Sequence, residues 1–167
     1  MDSSVSPARG ALVRRQSSSR FSPRTATSTL TCGRDALSRY LLDTSAYAAH
    51  LGGHAATVKL VAEAREVWLT PVVLGELLAG FRAGGRERQN RARLRDYLMS
   101  PAVGVLEMND ETAECYAAIH ADLRERGTPV PTNDLWIAAT AMQHGLPVLT
   151  RDAHFDRVRQ VRTVLPE

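Results

Sequence analysis

Short apolar runs that end at an acidic or hydroxyl residue, separated by helix-length stretches, constrain this chain more than any other feature. Tyr40-Leu41-Leu42 stops at Asp43, and Glu66-Val67-Trp68-Leu69-Thr70 stops at Pro71. Residues 103–106 and the run Pro147-Val148-Leu149-Thr150 have the same form, and residues 161–164 offer a fifth. Runs this short and continuously apolar read as strands covered on both faces.

The intervening stretches have helical signals. Residues 44–51 look helical and break at Gly52-Gly53, and residues 54–65 place Val58, Val61 and Ala62 on one stripe. Pro71 suits the first turn of a helix over residues 71–82, interrupted by Gly84-Gly85. Residues 86–99 read as a charged helix with Leu94, Tyr97 and Leu98 on its apolar side. Asn109 or Asp110 can cap a helix that runs to Arg126 and stops at Gly127. Thr128-Pro129-Val130-Pro131 cannot continue it, so Asn133-Asp134 opens a further helix over residues 135–144, closed by Gly145. A helical turn is expected around residues 153–157. Strands alternating with helices predict an α/β fold, a three-layer α/β/α sandwich around a short, mostly parallel sheet.

Residues 1–38 do not share this pattern. They are rich in Ser, Thr, Arg, Gly and Pro, and six arginines against two aspartates give them a net charge of +4. This composition predicts a disordered basic extension, followed by a folded domain over residues 39–167. It can be a nucleic-acid-binding arm or an extension without a folded role. The other 129 residues carry 15 basic and 16 acidic groups, so their charge is −1 and the basic character of the whole belongs to the extension. Any nucleic-acid affinity of the body must then come from local patches.

With 44% hydrophobic residues the body can build a core, yet no apolar run approaches the roughly 18 residues that cross a bilayer. Two cysteines, Cys32 and Cys115, make no disulfide framework, which fits a reducing, cytoplasmic compartment. GxGxxG and GxxxxGK[ST] motifs are absent, so no dinucleotide or P-loop site is signalled.

In open α/β sheets sites lie beyond the carboxyl ends of the strands. Asp43 sits directly after the first strand and Asp152 just after the fourth; Asp134 opens a helix, and Glu76 interrupts the apolar helix over residues 71–82. Each has an ordinary reading. Asp134 can complement a helix dipole, Asp152 can cap the turn after it, Asp43 can be a loop acid, and Glu76 can face water. Together they are harder to dismiss, because four acids at one sheet edge repel unless cations neutralise them. Carboxylate ligation selects hard ions such as Mg²⁺ or Mn²⁺. His50, His54, His120, His144 and His154 show no paired spacing of the HExxH kind and Cys115 has no CxxC partner, which argues against zinc. Trp68, Trp136 and Ile137 are expected in the core, and Cys115 as a packing thiol.

The segments Leu41-Leu42-Asp43-Thr44-Ser45, Glu76 after Thr70-Pro71, Asn133-Asp134-Leu135-Trp136-Ile137-Ala138-Ala139-Thr140-Ala141 and Val148-Leu149-Thr150-Arg151-Asp152-Ala153-His154-Phe155 resemble the PIN-domain family, and within it the VapC-type toxins of bacterial toxin–antitoxin pairs. The resemblance covers about residue 39 to the C-terminus; the long basic N-terminus departs from the family, whose toxins typically begin at the first strand. It implies a Mg²⁺- or Mn²⁺-dependent endoribonuclease acting on RNA such as tRNA or rRNA. It also implies a cognate antitoxin that holds the toxin inactive, and a homodimer or a toxin–antitoxin hetero-oligomer. By the same resemblance Asp43, Glu76, Asp134 and Asp152 match the acidic quartet, with Asp43, Asp134 and Asp152 toward the metal, and Ser45 and Thr150 match supporting hydroxyls. A catalytically silent PIN-like module that binds RNA or protein is the alternative. A phosphoaspartyl enzyme would want an acid two residues after Asp43, where Ser45 stands, and a receiver domain would want a late Lys, whereas the sole Lys is Lys59.

Arg82, Arg86, Arg88, Arg91, Arg93 and Arg95 fall within fourteen residues against only Glu87 and Asp96. They suit a phosphate-contacting surface, a dock for an acidic antitoxin segment, or the solvated face of a helix.

Overall fold

The computed structural model describes residues 38–167, so the basic extension lies outside the described residues except for its last residue, Ser38. In chain order the elements are β1 (Arg39–Leu42), α1 (Thr44–Leu51), α2 (Ala55–Glu63), β2 (Glu66–Leu69), α3 (Pro71–Ala83), α4 (Glu87–Leu98), β3 (Val103–Val105), α5 (Asp110–Glu125), α6 (Thr132–His144), β4 (Val148–Leu149), a 3₁₀ turn (Ala153–Arg157) and β5 (Thr163–Val164). The five strands form one sheet in the order β3-β2-β1-β4-β5, and every pairing is parallel. Right-handed crossovers put α1–α4 on one face and α5–α6 on the other, the three-layer α/β/α arrangement expected from the sequence.

The strands are short because each needs only to cross the core. Leu41, Leu42, Val67, Leu69, Val148 and Leu149 are all buried. Trp68 is also buried, and its ring lies over Gly104 of β3, where a Cβ would stand 2.3 Å from Cζ3. The ladder beside β4 extends past its two assigned residues, since Leu41 N–H donates to Pro147 O at 3.0 Å and Thr150 N–H to Val164 O at 3.1 Å. The expected strand over residues 147–150 is therefore present in its hydrogen bonds.

α6 is buried along most of its length, with Leu135, Ile137, Ala138, Ala139, Thr140 and Ala141 inside. Its alanines allow close approach of α5, whose Ile119 and Leu123 are buried; a fully buried Leu or Ile contributes about 1.5–3 kcal/mol. Asn109 caps α5 in a reciprocal capping box with Thr112.

Two expectations need correction. In α2 the inward stripe is Thr57, Leu60 and Val61, whereas Ala62 is exposed. The polar Thr57 goes inside because its hydroxyl pairs with His54 Nδ1 at 2.9 Å. Trp136 is only half-buried. Its ring stacks on Tyr116, with centroids 4.3 Å apart, while Ile137 is fully buried in the core.

Candidate active site

The strand order reverses direction between β1 and β4, so the chain leaves these two neighbouring strands toward opposite sides and a crevice opens beyond their carboxyl ends. The register sets what lines it. Leu42 pairs with Leu149, which puts Asp43 and Thr150 side by side at the rim. Thr150 Oγ1 donates to Asp43 Oδ2 at 2.8 Å although the two residues are 107 positions apart.

Asp43 is the N-cap of α1. Its Oδ1 accepts the Ala46 N–H at 2.8 Å, where a carboxylate favours the positive end of a helix. Ser45 Oγ lies 3.0 and 2.9 Å from the two carboxylate oxygens. With 4% of its surface exposed, Asp43 pays for its charge in lost hydration. Burial pushes its carboxyl above the ordinary value, although the Ala46 N–H, Thr150 and Ser45 draw it back down. The two hydroxyls also organise the far strand: Ser45 Oγ accepts the Arg151 N–H and Thr150 Oγ1 accepts the Asp152 N–H. Asp152 in turn caps the 3₁₀ turn, accepting the His154 N–H at 2.9 Å.

Glu76 does not face water alone. Thr70 caps α3 just beyond β2, accepting the Val73 N–H at 3.2 Å, and this starts the helix at the same sheet edge. From there the Glu76 carboxylate meets Thr44 Oγ1 through Oε2 and Asn133 Nδ2 through Oε1, the latter at 2.6 Å. Two donors from two other elements thus hold one carboxylate.

Asp134, in the first turn of α6, closes the crevice. Its carboxyl is pushed up to about 6, first by burial and then by the negative charge of Asp152, with Glu76 and Asp43 adding to it and His154 opposing. Asp134 Oδ2 is buried without a hydrogen-bond partner. It faces His154 Nδ1 at 3.3 Å, and His154 Nδ1 lies 3.1 Å from Asp152 Oδ1. Ligand atoms of Asp134, Asp152 and His154 all lie within 4.8 Å of one another. Asp43 and Glu76 stand outside that tight group, yet near enough to act on the charge of Asp134.

The structure therefore brings all four expected acids, with Ser45 and Thr150, to one hollow. The reading of Asp152 as a cap is also correct, while Asp43, which could have been a plain loop acid, caps α1, so each caps and lines the crevice at once. Sequence reasoning left out Thr44, Asn133 and His154. All three lie inside the quoted motifs, one position from Asp43, one from Asp134 and two from Asp152, and that adjacency was the available signal. Of the six arginines, Arg82 lies near the end of α3, Arg86 precedes α4 and the other four are in α4. Arg82, Arg86, Arg88, Arg93 and Arg95 are exposed, while Arg91 is half-buried and bound to Glu87 at 2.8 Å. Cavities of about 420 Å³ beside Arg39, Tyr40 and Pro147, and of about 330 Å³ beside Tyr116, Leu123 and Leu135, are not lined by carboxylates. Neither suits a divalent ion.

The donor set fits a hard divalent cation. Carboxylate oxygens predominate, one is buried and unpartnered, and crowding makes the site costly to ionise unless positive charge enters it. A parallel α/β sheet with such an acidic hollow at its switch point has the architecture that a metal-assisted hydrolase of phosphate esters requires.

The comparisons agree with that class. The PIN domain family model matches residues 40–161, and the chain belongs to the PIN-domain family. Ribonuclease VapC4 of Mycobacterium tuberculosis is 36% identical over 94 residues, covering 56% of this chain and 72% of that protein. Ribonuclease VapC5 of the same organism is 34% identical over 115 residues, covering 69% and 84%. Among solved structures, the VapBC-5 toxin–antitoxin complex of Mycobacterium tuberculosis superposes with a TM-score of 0.61 at 29% identity, covering 76% of this chain and 98% of that one. FitAcB from Neisseria gonorrhoeae gives 0.65 at 26% identity, covering 76% and 97%.

Proposed function

We propose that this chain is the toxin of a type II toxin–antitoxin pair, a Mg²⁺- or Mn²⁺-dependent endoribonuclease that hydrolyses phosphodiester bonds in tRNA or rRNA. The observation that carries the reading is the convergence of Asp134 and Asp152 from separate segments on one hollow, flanked by Asp43 and Glu76. The ribonuclease names of its relatives and the toxin–antitoxin complexes among its structural neighbours support it.

Asp134, Asp152 and Asp43 would hold the ion. When bound, such an ion offsets the negative charge of the phosphate and makes water more acidic. The remaining work belongs to the chain. Glu76, held by Thr44 and Asn133, presents a carboxylate of fixed orientation that accepts a proton from the attacking water. Ser45 and Thr150 keep Asp43 from rotating and tie it to the backbone that carries Asp152. Orientation of this kind matters because a displacement of about 1 Å costs on the order of 10²-fold in rate.

The arginine-rich stretch around α4 suits an acidic antitoxin segment and the phosphates of RNA, and the chain assembles as a homodimer or, held inactive, as a toxin–antitoxin hetero-oligomer. No helix among the described residues is long and apolar enough to cross a membrane. We place the protein in the cytoplasm, where its substrate is.

The test is incubation of the chain, freed of its partner, with bulk tRNA and rRNA. Discrete fragments are expected with Mg²⁺ or Mn²⁺, none with EDTA, and none from Asp134→Asn. Cleavage that persists in EDTA or in that variant would refute the assignment, and RNA binding without cleavage by the intact chain would favour the silent module.

A further inference from the structure

We infer that His154 is a ligand of the ion at this site, placing an imidazole nitrogen beside the carboxylates of Asp134 and Asp152, and that the site consequently selects Mn²⁺ over Mg²⁺. This rests on the metal-dependent reading above and adds to it the chemistry of the donor set.

The placement comes first. His154 lies in the 3₁₀ turn that follows β4, and its backbone N–H is fixed on Asp152 Oδ1 at 2.9 Å. That bond aims the ring across the crevice at the first turn of α6. The side chain is 40% exposed as a whole, yet Nδ1 itself is buried. It stands 3.3 Å from Asp134 Oδ2 and 3.1 Å from Asp152 Oδ1.

The second observation is what these atoms leave undone. Nδ1 of His154 and Oδ2 of Asp134 are both buried, face one another, and have no hydrogen-bond partner. A ring that served only to pair with the acids would donate a proton to one of them in proper alignment. Here the distances are short and the alignment is absent. His154 Nδ1 thus stands 3.1–3.3 Å from an oxygen of each aspartate, and one ligand atom from each of the three residues lies within 4.8 Å of the others, close enough to share one ion. A cation among them satisfies all three at once.

The consequence follows from ligand type. Mg²⁺ takes oxygen and gives up water reluctantly, whereas first-row transition ions accept imidazole nitrogen readily. A site with two carboxylates and one imidazole therefore shifts preference toward Mn²⁺.

The measurement is the affinity of the metal-free full-length chain for Mn²⁺ and for Mg²⁺, by titration calorimetry, in the native chain, His154→Ala and His154→Gln. Loss of the ring is expected to weaken Mn²⁺ by about 10-fold or more. Mg²⁺ affinity should change by less than about threefold, so the Mn²⁺/Mg²⁺ ratio falls. In His154→Gln the amide oxygen should support Mg²⁺ without restoring Mn²⁺. Electron spin-echo spectroscopy of Mn²⁺ on the native chain should show coupling to a nitrogen nucleus, and this readout needs no variant to fold. An unchanged ratio, tighter binding of both ions in His154→Ala, or no nitrogen coupling would overturn the inference. Failure of the native chain to bind either ion would overturn the metal-dependent reading as well, and Asp134→Asn, expected to lose both ions, separates the two failures.

Discussion

Replacing Asp134 by Asn should stabilise the metal-free protein while abolishing cleavage. Only 16% of the Asp134 side chain is exposed, and its carboxyl is held at about 6 against an ordinary 3.8, through burial and then through Asp152. One unit corresponds to 1.36 kcal/mol, so ionising Asp134 in the folded state costs about 3 kcal/mol relative to the unfolded chain. The folded form holds its proton more tightly. The native protein therefore loses this stability as pH rises from about 4 to about 6, and at pH 7.5 the loss is complete. Asn removes the charge but keeps a buried polar group, which leaves a net gain of about 1–2 kcal/mol. For a domain of this size that is a rise in Tm of roughly 4–8 °C.

The assay is calorimetric melting in EDTA at pH 7.5 and 4.5. The variant should melt higher at pH 7.5, and the gap should vanish or reverse at pH 4.5, where the native carboxyl is protonated in the fold and the contribution of its charge falls to about 1 kcal/mol. Added Mn²⁺ should raise the melting temperature of the native protein and leave the variant unmoved. A variant that melts lower than the native chain in EDTA at pH 7.5, or a gap equal at both pH values, would refute the crowding argument and leave Asp134 as a structural acid.

Further outcomes follow from other contacts. Thr150→Val keeps the shape but removes the donor to Asp43 and the acceptor of the Asp152 N–H. It should cost about 1–3 kcal/mol in urea unfolding and reduce cleavage, and unfolding indistinguishable from the native chain would show these bonds to be dispensable. Gly104→Ala puts a Cβ into the Trp68 ring. A loss of about 1–3 kcal/mol is expected by the same measurement, and a neutral result would mean that β3 can shift away from the ring. Exposed Arg88 and Arg93 have no ion pair among the described residues, whereas Arg91 is occupied by Glu87. Neutralising Arg88 and Arg93 together should lower the salt slope of RNA binding by about 1.4, and an unchanged slope removes this helix from the RNA path.

Much of the architecture was legible because the sequence signals were local. Leu41-Leu42 stops at Asp43 since the strand ends where α1 begins, and one residue serves as strand end, helix cap and site acid. Pro71 and Gly145 marked helix ends through backbone geometry that does not depend on tertiary context, and Gly145 does adopt a left-handed φ of 60°. Reading failed where residue type and environment diverge. Thr57 is polar by type yet buried, because His54 satisfies its hydroxyl. Trp136 is apolar by type yet only half-buried, its ring stacked on Tyr116. His154 carried no recognisable metal spacing because its companion, Asp134, arrives from another helix. The partners of Glu76 were invisible for the same reason, since Thr44 lies 32 positions before it and Asn133 57 after it.

The adjacency of β1 and β4 has a consequence during translation. Half of the crevice is synthesised near the start of the domain and half near its end, with more than a hundred residues between Asp43 and Thr150. Until β4 is made, the emerging portion already carries Asp43, Glu76 and Asp134, but it lacks Asp152 and the Thr150 hydroxyl that holds Asp43. The hollow is therefore completed only when the last segment leaves the exit tunnel and pairs with the first strand.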